Sequence, residues 1–212
     1  MSKIEITNED NMQLMARYED NYFDLAIVDP PYGIGADKEK FTPKNHTWNG
    51  KKKVGYTAKN WDKEIPNEEY FKELFRVSKN QIVWGGNYFG LIGGFIFWDK
   101  QETMPTYTKG ELAWCSFMNK VDKFEWLWSG YKKKENETRI HPTQKPRQLY
   151  NWLLDNYAKE NYKILDTHLG SGSIALACYD RNFDLVACEI DTEYYKKAIK
   201  RLEQHKQQLT MF

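Results

Sequence analysis

The strongest indication of the fold is the segment Lys163-Ile164-Leu165-Asp166-Thr167-His168-Leu169-Gly170-Ser171-Gly172-Ser173. Its apolar start predicts a buried strand, and residues 173–180 predict a helix. Glycines between a strand and a helix let the backbone approach a ligand without a side-chain clash. The stretch therefore predicts a strand, a binding turn and a helix, the repeating unit of an α/β fold.

A carboxylate follows the glycines at a distance of roughly 20 residues. Glu189 ends a predicted strand at 184–188, where it can hold the ribose hydroxyls of an adenosine-containing ligand. Residues 170–175 also fit the dinucleotide pattern G-x-G-x-x-A, so a nicotinamide-dependent dehydrogenase is an alternative. An ordinary strand-to-helix turn, with Glu189 solvated, is the simplest alternative.

The rest of the chain alternates strand and helix patterns. Further strands are predicted at 24–28, 81–84, 95–98, 112–117 and 124–128. Helices are predicted at 8–19 with Asn8 as the N-cap, around 70–77, and at 149–157 and 192–208. At 212 residues the pattern predicts one doubly wound α/β domain.

A second motif, Asp29-Pro30-Pro31-Tyr32, follows the strand at 24–28 directly. An exocyclic amine of a base is a poor nucleophile, because its lone pair is delocalised into the ring. The Asp29 carboxylate and the Pro30 carbonyl are acceptors that could localise that pair. The Tyr32 ring could stack on a flipped base and return about 1 to 3 kcal/mol of the flipping cost. The plain alternative is a strand-terminating turn.

Composition excludes several classes of protein. Lys and Arg number 31 against 30 Asp and Glu, which argues against a uniformly basic coat. The N-terminus lacks a signal core, and the apolar run at 91–98 is too short for a membrane span, so a soluble cytoplasmic protein is expected. Three isolated cysteines predict reduced, buried thiols, and the four histidines lack metal-ligand spacing, so no metal is expected.

Two lysine runs lie where apolar periodicity is weakest. The first is in a lysine-rich loop at 33–64, interleaved with Trp48, Tyr56 and Trp61. The second is in the polar, net basic region at 131–147. The candidate phosphate contacts in the two regions are Lys51, Lys52, Lys53, Lys132, Lys133 and Arg139. A solvated surface is the alternative. A non-catalytic DNA-binding module would explain these lysines but not Asp-Pro-Pro-Tyr.

Together these motifs resemble the beta-class amino-methyltransferases of DNA, which act on adenine N6 or cytosine N4. Other segments add to the resemblance, most specifically His141-Pro142-Thr143-Gln144-Lys145-Pro146, and also 85–89, 98–100 and 111–114. The resemblance implies a seven-stranded, mainly parallel Rossmann-like sheet with one antiparallel strand and a circularly permuted motif order. It also implies one catalytic domain over 1–212, with a small recognition insertion within about 118–140.

The resemblance further implies roles for individual residues. Asp29, Pro30, Pro31 and Tyr32 would be catalytic. S-adenosylmethionine (SAM) would be held by Asp166, His168, Leu169, Gly170, Ser171, Gly172, Ser173 and Glu189, with His141, Thr143 and Lys145 also at the cofactor. Thr167 and His168 stand where the family usually has Pro and Phe, which bears on the packing around the cofactor.

The resemblance also bears on substrate and assembly. A motif beginning with Asp favours adenine N6 in DNA, whereas cytosine N4 enzymes commonly begin with Ser and RNA or protein-glutamine enzymes with Asn. Little chain is left for reading DNA sequence between Glu111 and His141, so a short recognition site or help from a second subunit, as in a homodimer, is expected.

Overall fold

The computed structural model describes residues 2–36, 47–48, 51–52, 59, 61–128, 133–135 and 137–209, with 47–48, 51–52 and 209 described by their backbone alone. The strands are β1 (Ile4–Thr7), β2 (Leu25–Val28), β3 (Thr47–Trp48), β4 (Lys51–Lys52), β5 (Gln81–Trp84), β6 (Gly94–Asp99), β7 (Gly110–Cys115), β8 (Val121–Glu125), β9 (Lys163–Asp166) and β10 (Asp184–Cys188). The helices are α1 (Asn11–Met15), α2 (Glu68–Val77), α3 (Arg147–Tyr157), α4 (Ser173–Arg181) and α5 (Thr192–Leu209), with a 3-10 turn at Gly86–Tyr88.

Eight of these strands form one sheet, in the order β1-β10-β9-β2-β5-β7-β6-β8. Only β7 runs antiparallel to its neighbours in this sheet, and β3 and β4 form a separate hairpin. From β2 the chain proceeds toward β5, and from β9 it proceeds toward β10, so the winding direction reverses between β2 and β9. Ligands of open α/β sheets bind outside the carboxyl ends of the strands at such a point.

Helices cover both faces of the sheet. Leu25 and Ile27 of β2 face one core, which includes residues of α3, α4 and α5. Ala26 and Val28 face a second core, which includes residues of α1 and α2. This alternation is expected for a strand buried on both sides. The predicted doubly wound α/β fold, mainly parallel with one reversed strand, is therefore confirmed.

The strand count differs from the expected seven, because Ile4–Thr7 forms an eighth strand. This edge strand pairs in parallel with β10, from Ile4 opposite Leu185 to Thr7 opposite Cys188. Ile4 and Ile6 pack on the larger core. Two apolar residues on one edge give too short an alternation to separate a strand from a polar N-terminus.

The first helix is also shorter than the predicted span 8–19. It begins after Asp10, whose carboxylate accepts from the Met12 N–H at 2.9 Å, so Asp10 rather than Asn8 is the N-cap. The Asn8 amide instead donates to the Glu189 carbonyl at 2.7 Å. Asn and Asp both favour N-caps, so the sequence alone could not choose between positions 8 and 10.

Other boundaries and features agree with the sequence in kind. The strands predicted at 112–117 and 124–128 lie at Gly110–Cys115 and Val121–Glu125, a shift of two or three residues. Thus part of the span assigned to a recognition insertion is the edge strand β8. All three cysteines are buried and free, as predicted. No helix among the described residues is long and apolar enough to cross a membrane.

Candidate active site

The site lies where β2, β9 and β10 end, at the point where the sheet winding reverses. A cavity of about 320 Å³ opens there, a volume in the range of small-molecule sites. Asp29 and Pro31 line it from the end of β2. The predicted cofactor residues that line it are His141, Thr143, Lys145, His168, Leu169, Gly170, Ser171 and Glu189. Asp166, Gly172 and Ser173 are buried and do not line it. Two motifs about 140 residues apart in sequence thus meet at one cavity.

The glycine turn is built around Glu189. Gly170 and Gly172 have φ of +53° and +72°, values that favour glycine over residues with a Cβ. The Gly170 N–H donates to one oxygen of Glu189 and the Asp191 N–H to the other, both at 2.8 Å. Each oxygen keeps a second lone pair for a ligand hydroxyl. The turn therefore fixes a carboxylate at the wall of the cavity.

The walls of the cavity are acidic. Asp10, Asp29 and Glu189 line it, whereas Lys145 is the one Lys or Arg among the described lining residues. Burial, strengthened by the charges of Asp29 and Glu189, raises the pKa of the neighbouring Asp166 to about 8, despite a hydrogen bond from the His168 N–H. Such a wall suits a ligand with positive charge and hydroxyl groups better than one with a pyrophosphate. It therefore disfavours the nicotinamide alternative.

His141 forms an aromatic side of the cavity. Its ring lies 4.3 Å from that of Tyr194 and 5.1 Å from that of Trp61, measured between centroids. Burial, helped by the charge of Lys145, lowers the pKa of His141 to about 3, so the ring is neutral. The Thr143 hydroxyl lies 3.1 Å from its Nδ1. Tyr194 had no predicted role, because the sequence does not distinguish a site tyrosine in an amphipathic helix from a core tyrosine.

Thr167 and His168, the two departures from the family pattern, tie the glycine turn to α1 and α2. The Thr167 hydroxyl lies 2.7 Å from the Tyr70 hydroxyl, and the Asn11 amide lies 3.1 Å from His168 Nε2. Burial lowers the pKa of His168 to about 3, so it is uncharged. These polar side chains are therefore hydrogen-bonded within the fold, and His168 still lines the cavity.

The Asp29 carboxylate is held on both oxygens. The Tyr32 hydroxyl donates to Oδ1 and the Lys145 ammonium to Oδ2, each at 2.6 Å. The Tyr32 ring stacks on Tyr88 with 5.1 Å between centroids and 13° between planes. One face of Tyr32 is thus covered by Tyr88, an aromatic contact that the sequence did not predict.

Lys145 reaches beyond Asp29 to Glu111. Its ammonium lies 3.0 Å from a Glu111 oxygen, and its side chain is only 3% exposed. The resemblance implied that Lys145 lies at the cofactor. In the structure Lys145 lines the cavity, and its ammonium also contacts Asp29. Glu111 had no predicted role, although a glutamate beginning the apolar run Leu112-Ala113-Trp114 was a visible signal.

The described end of the lysine-rich loop packs beside the cavity. The Lys59 ammonium lies 2.6 Å from Asp191 and 4.3 Å from the centre of the Tyr194 ring. Near the end of the loop, Asp62 accepts from the Gly33 N–H at 2.9 Å and from the Ala36 N–H at 2.6 Å, so it holds the backbone after Tyr32. These contacts were not predicted, because they join residues far apart in sequence.

The predicted phosphate contacts are only partly described. Lys53 and Lys132 lie outside the described residues, and Lys51 and Lys52 are described by backbone alone. Lys133 donates to the Glu137 carbonyl at 2.7 Å and lies 5.0 Å from the Trp128 ring centre. Arg139 lies 5.6 Å from the same ring. Both cations are partly buried against an aromatic side chain, so their part in DNA binding stays a prediction.

The matches to known proteins agree with this geometry. The sequence profile of a DNA methylase family, the N6/N4 methyltransferases, matches residues 97–200. The putative methylase YubD of Escherichia coli K12 is 23% identical over 91% of this chain and 87% of its own length. The type II methyltransferase M2.DpnII of Streptococcus pneumoniae is 23% identical over 95% of this chain and 90% of its own.

Solved structures show the same fold. The M1.HpyAVI–SAM complex has a TM-score of 0.61 at 20% identity, covering 94% of this chain and all of that one, 100%. The cytosine-N4-specific PvuII DNA methyltransferase also has a TM-score of 0.61, at 11% identity, covering 98% of this chain and 91% of that one. From the profile match and the two motifs that share one cavity, we conclude that this chain belongs to the N6/N4 DNA methyltransferase family.

Proposed function

We propose that the protein transfers a methyl group from SAM to the exocyclic N6 amine of adenine in DNA. The observation that carries this proposal is that Asp29 and the glycine turn open onto the same cavity. An acceptor for an amine and a binding turn for an adenosine-containing ligand are thereby next to each other. Proximity of this kind converts an encounter of two reactants into a reaction within one site.

The residues of the cavity fit SAM as the methyl donor. Glu189 would accept from the ribose hydroxyls, and the acidic wall would stabilise the positive charge of the ligand. His141, Thr143, His168, Leu169, Gly170 and Ser171 would form the rest of its binding surface. When bound, SAM supplies a methyl group whose bond to sulfur breaks as the new nitrogen–carbon bond forms, with the bonding electrons staying on sulfur.

The Asp-Pro-Pro-Tyr motif would act on the other reactant. Asp29 and the Pro30 carbonyl would accept the two hydrogens of the target amine and so localise its lone pair. Tyr32 would stack on the flipped base, which offsets part of the cost of unpairing it. The methylated nitrogen must lose one proton, and the Asp29 carboxylate is an acceptor for it. Lys and Arg side chains of the lysine runs would contact phosphates.

Cytosine N4 is the second candidate for the target amine. The specific observation in its favour is that PvuII, a cytosine-N4-specific enzyme, matches the fold as well as M1.HpyAVI does, with a TM-score of 0.61 in both cases. The proposed chemistry at Asp29 would serve either amine. Adenine is preferred because the motif begins with Asp, as in adenine N6 enzymes.

The proposed function is tested with wild-type protein, Asp29→Ala and the surface control Asp155→Asn, incubated with labelled SAM and mixed-sequence DNA. Wild-type protein and the control should transfer label, whereas Asp29→Ala should lose at least about 100-fold in rate. SAM affinity, measured by calorimetry without DNA, should change less than about threefold, because the motif contacts the base. An Asp29→Ala protein with normal turnover would refute the assignment of Asp29.

A further inference from the structure

Four charged side chains form a row of ion pairs that begins at Asp29. Asp29 pairs with Lys145 at 2.6 Å, Lys145 pairs with Glu111 at 3.0 Å, and Glu111 pairs in turn with Lys100. The side chains of Lys145, Lys100, Asp29 and Glu111 are 3%, 18%, 19% and 24% exposed. The charges of the row therefore alternate in sign and sum to zero, and the Lys145 ammonium is the most buried of the four groups.

The members of this row come from separate parts of the fold. Asp29 follows β2, Lys100 follows β6, Glu111 lies in β7, and Lys145 precedes α3. Since β7 is the antiparallel strand beside β5, it brings Glu111 to the edge of the sheet where β2 ends. The Glu111 oxygen that faces the Lys145 ammonium is buried.

The charges in the row depend on one another. Burial by itself would raise the pKa of Glu111, but the charges of Lys145 and Lys100 outweigh it and lower the value to about 2. Burial by itself would lower the pKa of Lys145, but Asp29 and Glu111 raise it above its usual value. Glu111 is thus an anion and Lys145 a cation at neutral pH. Removal of one charge leaves its partner buried and uncompensated.

We propose that Glu111 is a positioning residue for methyl transfer, because it holds the Lys145 ammonium between two carboxylates and so fixes the orientation of Asp29. Without Glu111 the buried ammonium would lose one of its two carboxylate partners, and the relative orientation of Lys145 and Asp29 would no longer be fixed. Lys100 supports Glu111 from the outside. This inference rests on the proposed function, since it assigns Glu111 to the same amine-binding centre.

The competing role for Lys145 is cofactor binding. Lys145 lines the cavity, and its ammonium could contact the carboxylate of SAM instead of serving Asp29. The two roles differ in what they affect. A residue that positions Asp29 alters the rate of the bound complex, whereas a residue that binds the cofactor alters the affinity for SAM.

The test uses full-length wild-type protein, Glu111→Gln, Glu111→Asp and the matched surface control Glu203→Gln, which removes a carboxylate paired with Lys206 on α5. For each, kcat and KM are measured with labelled SAM and DNA, and SAM affinity is measured by calorimetry without DNA. Thermal unfolding establishes that each variant is folded. Glu111→Gln should lose about 10- to 100-fold in kcat, with SAM affinity within about threefold of wild type.

Glu111→Asp, which keeps the charge, should recover part of that loss, and Glu203→Gln should be unaffected. A folded Glu111→Gln protein with wild-type kcat would overturn the proposal. A loss of SAM affinity as large as the loss of rate would also overturn it and would assign the row to the cofactor. Absence of transfer by the wild-type protein would instead refute the proposed function, so the two failures are distinguishable.

Discussion

Asp166 is a buried carboxyl at the end of β9, with 3% of its surface exposed. Burial, with Asp29 and Glu189 nearby, raises its pKa to about 8 from an ordinary value near 4. An acid whose pKa is raised by folding contributes stability that is fully present below the unfolded pKa. That contribution is lost as pH rises through the folded pKa.

Asp166→Asn should therefore become more stable relative to wild type as pH rises from about 4 to 9. Asn is neutral throughout and can still accept from the His168 N–H, which donates to Asp166 at 2.9 Å. Thermal unfolding of the free protein across this range measures the difference. Asp155→Asn, on the surface, serves as the control. A difference between Asp166→Asn and wild type that stays constant with pH would contradict a raised pKa of Asp166 in the folded protein.

Among contacts between individual side chains, the sequence predicted some and missed others. Asp29 and Tyr32 are three residues apart in a stiff turn, so their proximity could be predicted locally. The contact between Asp29 and Lys145 spans 116 residues and depends on how β2 and the loop before α3 meet. Such pairs are set by tertiary structure, which residue patterns do not report.

Among the elements, the turn after β5 packs against the ring of Tyr32. Gly85 has φ of +71°, and a Cβ added there would lie 2.3 Å from Cε1 of the Tyr32 ring. Gly90, at the other end of the same turn region, has φ of +69° and no atom within 4 Å of such a Cβ. The two glycines therefore share the backbone strain but not the clash.

Gly85→Ala should lose most methyl transfer, because the methyl group would displace Tyr32 from its 2.6 Å hydrogen bond to Asp29. Gly90→Ala should cost a similar amount in backbone strain, about 1 to 2 kcal/mol, and leave the rate near wild type. Turnover and thermal unfolding of both variants check this. Equal losses of turnover in the two variants would show that strain, and not the position of Tyr32, is responsible.

Element prediction succeeded where apolar periodicity extends over a full strand or several helical turns. α3, α4 and α5 lie within two residues of the predicted spans at both ends. β1 was missed because a parallel edge strand with two apolar residues is stabilised by its pairing with β10. The two strands are far apart in sequence: the Lys3 N–H, just before β1, donates to Asp184, 181 residues away. The four residues of β1 are too few to predict a strand without knowledge of the strand with which they pair.

For the whole molecule, the order of motifs along the chain and their order in space differ. Asp-Pro-Pro-Tyr precedes the glycine turn by more than a hundred residues, yet β2 and β9 are neighbours in the sheet. The α/β class followed from the alternation of elements, and the shared site followed from the resemblance to a family. The antiparallel β7, which brings Glu111 to the site, could not be assigned a direction from its sequence, since strand patterns carry no direction.

The identity of the methylated base tests the proposed function most directly. DNA of mixed sequence is incubated with the protein and labelled SAM, digested to nucleosides and analysed by mass spectrometry. Label is expected in N6-methyladenine. Label in N4-methylcytosine would contradict the choice of adenine, and unlabelled DNA from a protein that binds SAM would contradict the proposed function itself.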